Sequence, residues 1–171
     1  MEEIMKKYRY MTITGLLAAL ITIMTAYAPI PNGVNGGYIH FGDAFIYLGA
    51  ILLPRPYALA AAAIGGGLAD FLVAPTWILP TVIVKMLITL PFTSKNKRLL
   101  TKPNVIAPLF SAVITVVGYY LAAGIMFGSF QGALASIPGN FIQGAGSMVI
   151  FIIFAAALEK ANFKQHVVNK Q

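Results

Sequence analysis

Six stretches of this chain are so continuously apolar that water is the wrong solvent for most of it. They cover 11–28, 41–53, 57–73, 76–93, 105–127 and 138–158. None alternates apolar and polar residues as a barrel strand must, so each reads as a helix, and a helix crosses a bilayer in roughly 20 residues. The second run is short for a full crossing. Six such spans use most of the 171 residues, leaving short loops and two small tails. The expected fold is therefore an all-α integral membrane protein of six transmembrane helices, a single membrane domain over residues 1–171. Charged residues make up 10% of the chain, against about a quarter in soluble domains.

The cations give the orientation. Lys6, Lys7 and Arg9 precede the first run, and Arg55 sits in the second loop. Lys95, Lys97, Arg98 and Lys102 fill the fourth loop, while Lys160, Lys164 and Lys170 lie in the tail. The odd loops carry no Lys or Arg, and the remaining cation, Lys85, is inside a run. The positive-inside rule then puts the N terminus, both even loops and the C terminus in the cytoplasm. It also accounts for the net charge of +7 without a nucleic-acid-binding face. A cleaved signal peptide ending at Ala26-Tyr27-Ala28 would put Pro29 directly after the cut and leave an odd number of spans.

Ionisable side chains inside lipid cost several kcal/mol, so each needs a partner or a purpose. Asp43 opens the second run and Asp70 ends the third, both toward the outer side, with Lys85 near mid-depth in the fourth. Asp43 has the position of a helix N-cap, and Asp70 is within reach of an outward-stretched Lys85; otherwise these groups face an outer cavity. Asn140 and Gln143 are three residues apart, on one helix face, at the level of Trp77, Tyr119 and Tyr120. Amides beside aromatic rings suit a flat, polar heterocycle. The first outer loop, 29–40, is rich in Gly and Pro and offers Asn35, Tyr38 and His40 as polar contacts over such a cavity. Amides also bridge helices, and Trp77 also suits an interfacial belt.

Small residues form two further patterns. Thr14, Ala18, Thr22 and Ala26 recur every four residues, with Gly15 and Ala19 alongside, as a ridge for close helix packing. Gly65-Gly66-Gly67 lacks the preceding strand and following Lys-Ser/Thr of a phosphate loop, so it reads as a packing site. There are no cysteines and two histidines, and no Walker, His-Glu-x-x-His or Cys/His metal motif. The chain is expected to be no enzyme, to hold no metal or cofactor, and to need a partner or an ion gradient for active transport.

Six short helices, cytoplasmic ends, a capping first outer loop and the small-residue ridge resemble the S components of energy-coupling factor (ECF) vitamin transporters over essentially the whole chain. His40-Phe41-Gly42-Asp43-Ala44, Ala69-Asp70, Trp77 and Val84-Lys85 resemble the riboflavin and hydroxymethylpyrimidine branch. The resemblance implies a substrate-binding subunit in a prokaryotic plasma membrane. Its partners would be a transmembrane coupling (T) subunit and two cytoplasmic ATPase subunits. Its substrate would be a water-soluble vitamin or precursor, with hydroxymethylpyrimidine or pyridoxine ahead of riboflavin because there is one tryptophan among several amides. The implied pocket is Asn140, Gln143, Lys85, Trp77, Tyr119, His40, Asn35 and Asp43, and the implied face for the coupling subunit is Thr14, Gly15, Ala18, Ala19 and Thr22. A self-sufficient ion-coupled transporter or channel, using Asp43, Asp70 and Lys85 as a relay, is the alternative.

Overall fold

The computed structural model describes residues 1–28, 30–31 and 38–168. Among the described residues seven helices follow in order: α1 Glu2–Ala26, α2 Gly42–Leu52, α3 Arg55–Val73, α4 Ile78–Leu87, α5 Lys102–Met126, the single turn α6 Phe130–Ala133, and α7 Ile137–Lys160. A 3-10 turn, Pro75–Trp77, leads into α4, and Lys164–Val168 forms a π-helical turn after α7. Two strands, β1 Ile30–Pro31 and β2 Tyr38–Ile39, pair antiparallel and bring together the two ends of the loop between α1 and α2.

Among the described residues, four helical stretches are long and apolar enough to cross a membrane: Glu2–Ala26, Arg55–Val73, Lys102–Met126 and Phe130–Lys160. Gly42–Leu52 and Pro75–Leu87 are apolar but shorter. The surface is of the same character, since Leu79, Ile125 and Ile153 are each more than 60% exposed. Water would penalise that arrangement; hydrocarbon does not.

The element boundaries depart from hydropathy in two places. α1 begins nine residues before the first apolar run, because Glu2–Arg9 is a charged segment that helix geometry tolerates and lipid does not. α4 ends at Leu87, not in the low nineties. Pro91 has no N–H to donate back, the Thr89 hydroxyl donates to the Met86 carbonyl at 2.7 Å, and the Ile88 carbonyl is taken by the Ser111 hydroxyl at 2.8 Å. The chain then turns through Asn104, wholly buried. Its side chain accepts from Thr93 N and donates to the carbonyls of Thr93 and Leu99, each at 2.9 Å.

The core is aromatic toward the middle. Tyr47 stacks on Phe92 at 5.0 Å and meets Phe151 edge-on at 5.8 Å. Close packing between α1 and α3 rests on Gly65. A β-carbon there would lie 2.7 Å from Ile21 Cβ and 2.9 Å from the Ala18 carbonyl, and Thr22 Oγ1 donates across to the Gly65 carbonyl at 3.0 Å. Thr14 and Ala18 are buried, whereas Gly15 and Ala19 lie on the open side of α1. Gly65→Val should cost about 2 kcal/mol through overpacking, lowering the melting temperature in detergent by about 5 °C. An unchanged melting curve would mean that α1 and α3 do not approach this closely.

Candidate functional site

Two of the expensive residues of the sequence, Lys85 and Asp43, meet at one point. Lys85 is 3% exposed and Asp43 not at all, and Lys85 Nζ lies 2.5 Å from Asp43 Oδ1. Asp43 stands in the first turn of α2, where the helix dipole adds to its stabilisation. It does not cap the helix; its negative charge is committed to the lysine. The partner of Lys85 is therefore Asp43 of α2, while Asp70 stands half-buried at the end of α3. Room for the lysine comes from the second glycine of the run: a β-carbon on Gly66 would sit 2.8 Å from Lys85 Cγ.

Gln143 of α7 joins this pair to the end of the α1–α2 loop. Its Oε1 accepts the His40 backbone N–H at 2.8 Å. Its amide nitrogen lies 3.2 Å from the His40 carbonyl, 2.9 Å from Ser147 Oγ and 3.4 Å from Asp43 Oδ2. One amide thereby fixes the exit of the loop, the head of α2 and the wall of α7. His40 itself is buried, with Nδ1 3.4 Å from the same amide nitrogen.

The aromatic side is supplied by α5 and by the 3-10 turn before α4. Tyr119 shares a hydrogen bond with Thr81 at 3.0 Å, and its ring centroid lies 5.6 Å from Lys85 Nζ, within cation–π range. Trp77 meets Tyr119 edge-on at 5.9 Å and Phe127 at 5.8 Å. Asn140 lies one turn from Gln143 on α7 and is half-buried. Asn35 falls outside the described residues. Of the residues expected at a pocket, Lys85, Asp43, His40, Gln143, Tyr119 and Trp77 are linked through contacts, with Asn140 beside them.

Two members of this network, Thr81 and Ser147, carry no signal in the sequence that separates them from other hydroxyls in apolar helices. Their positions depend on helix rotation. Chemically the site holds a paired charge, an amide with several partners, and two rings. It has donors, acceptors and flat surfaces for recognition. Among the described residues no three His, Asp or Glu side chains gather as a metal site would require.

The family profile described as ECF-type riboflavin transporter, S component, matches residues 5–160. An uncharacterized protein in gap 3' region from Pyrococcus woesei is 26% identical over 132 residues, covering 76% of this chain and 88% of its own. A solved structure of the S component of a bacterial ECF transporter superposes with a TM-score of 0.69 at 18% identity. It covers 92% of this chain and 98% of its own; at that identity the likeness concerns the fold.

Proposed function

Because the chain belongs to the ECF-type riboflavin transporter S component family, we propose that it captures a water-soluble vitamin or vitamin precursor in the cluster around Lys85, Asp43 and Gln143. The observation that carries this reading is the double hydrogen bond between Gln143 and the main chain of His40, which ties the buried polar cluster to the end of the α1–α2 loop. A vitamin entering between Asn140, Trp77 and Tyr119 would find ring faces to stack on and amide groups for its edge.

In this proposal α2 and α4 also cross the membrane, with the adjoining turns completing their length. That gives six spans and places every basic loop and both ends in the cytoplasm of a prokaryotic cell. The chain would deliver its ligand with a T subunit and two ATPase subunits. The open side of α1, at Gly15 and Ala19 with Thr22 at its edge, would face the T subunit; Thr14 and Ala18 are already buried within the chain. Hydroxymethylpyrimidine and pyridoxine remain ahead as single-ring ligands with polar edges. Riboflavin is the second reading, favoured by the description of the family.

Thermal denaturation of the detergent-solubilised protein against these compounds tests the proposal. A cognate vitamin at 100 times its dissociation constant should add about 2.7 kcal/mol of stability. Asn140→Ala, which touches neither the ion pair nor the loop staple, should melt normally and bind about tenfold more weakly. A well-folded protein that no vitamin stabilises would refute the reading.

A further inference from the structure

A polar cavity lies away from the Lys85 cluster, where the α4–α5 loop meets the end of α7. It has a volume of about 260 Å³, small for a drug-sized ligand and suited to a head group. Its walls include Lys97 and Arg98 from the loop, Glu159 and Asn162 at the end of α7, and Lys164 and Gln165 from the π-helical turn. Leu99, Leu158 and Phe163 add an apolar side.

The charge balance is three cations to one acid, and the acid is spent. Glu159 Oε2 accepts the backbone N–H groups of Leu99 and Leu100 at 2.8 and 2.7 Å, while Oε1 lies 3.4 Å from Arg98 Nε. Lys164 is spent as well, on three backbone carbonyls, so it contributes field and not a hydrogen bond. Lys97 and Arg98 are exposed, Arg98 by 83%, as are Asn162 and Gln165. The cavity therefore presents exposed N–H donors, a positive potential, and the half-buried side chains of Leu158 and Phe163.

From this juxtaposition we infer that the cavity binds the phosphate of an anionic glycerophospholipid head group. The phosphate would lie between Lys97 and Arg98, and the glycerol end of the lipid would follow Leu158 and Phe163. Inorganic phosphate shares the charge and the acceptor oxygens but has nothing for Leu158 and Phe163. Assignment to the cytoplasmic leaflet rests on the orientation proposed above, where anionic lipid attracts juxtamembrane cations. The cavity itself does not depend on it.

The test uses the full chain in a neutral detergent, titrated with dioctanoyl phosphatidylglycerol, dioctanoyl phosphatidylcholine or inorganic phosphate at matched ionic strength, with melting temperature as readout. Phosphatidylglycerol should raise it by several degrees, and the other two should not. Lys97→Gln should weaken the phosphatidylglycerol effect by about fivefold, and Lys95→Gln, on the same loop but outside the cavity, should leave it intact. An equal response to inorganic phosphate would overturn the lipid source and leave a soluble phosphate site. No response to either, an equal response to phosphatidylcholine, or equal losses from both lysine variants would overturn the inference. Vitamin stabilisation of the same sample reports on the Lys85 cluster, so failure here leaves that reading standing.

Discussion

Replacing Lys85 by Met should lower the stability of the protein by about 3–5 kcal/mol, because it strands the Asp43 carboxylate in a site with no exposure. The same loss is expected for Asp43→Asn, which leaves the lysine ammonium without its anion. In melting temperature, either change corresponds to a fall of about 10 °C. The double variant is the informative one. Removing both charges abolishes the Coulombic gain together with the desolvation cost, and such replacements are often near neutral. Asp43→Asn with Lys85→Met should thus recover most of the lost stability, since the amide introduced on α2 can still accept from Gln143. If each single variant melts as the parent does, the pair is hydrated and the buried geometry is wrong. If the double variant is as poor as the sum of the singles, the two charges serve separate partners.

Ligand affinity separates structure from recognition at this pair. A double variant that melts normally and has lost vitamin binding would place the charges in the recognition of the ligand. One that melts and binds normally would make them a strut between α2 and α4, leaving recognition to Asn140 and the rings. Both results are readable because stability and affinity are measured on the same sample.

How much of this is legible in the sequence follows from what each residue's position depends on. The four long helices are visible because a continuous apolar run has one stable solution in lipid. That Lys85 and Asp43 need partners is visible for the same reason. Their pairing with each other is not, because it depends on how α4 is rotated and on the space left by Gly66. Asp70 is the nearer acid in sequence, yet Asp43, 42 residues away, is the partner. Hydropathy overextends α4 because the helix end is set by Pro91 together with the Ser111 hydroxyl from α5, and the second of these is a tertiary effect. The ridge of α1 is visible as small residues, but periodicity alone does not say which neighbour they face. Ala18 meets Gly65 of α3 within the chain. Glu159 and Lys164 read as ordinary tail residues, since their roles come from backbone groups about 60 to 110 positions away.

Lys164 supports the last prediction. It is 4% exposed, and Nζ donates to the carbonyls of Ile51, Ser94 and Asn96 at 2.8, 2.7 and 2.8 Å. The end of α2, the α4–α5 loop and the tail are held by one ammonium. Burial lowers its pKa from 10.5 to about 8, so at pH 7 it still carries three hydrogens for three carbonyls. Lys164→Met removes all three donors and should cost about 3 kcal/mol at pH 7. The sign of the pH effect follows from linkage. Between about 8 and 10.5 the folded chain has released this proton and the unfolded chain retains it, so the group's contribution to stability rises with pH across that window. Melting curves of the parent and Lys164→Met should therefore move further apart between pH 8 and 10.5. A gap that stays constant would mean that the three carbonyls fully replace the lost hydration, leaving the lysine with its ordinary pKa. A gap that narrows would mean that they over-compensate, and that the latch depends on the charge itself.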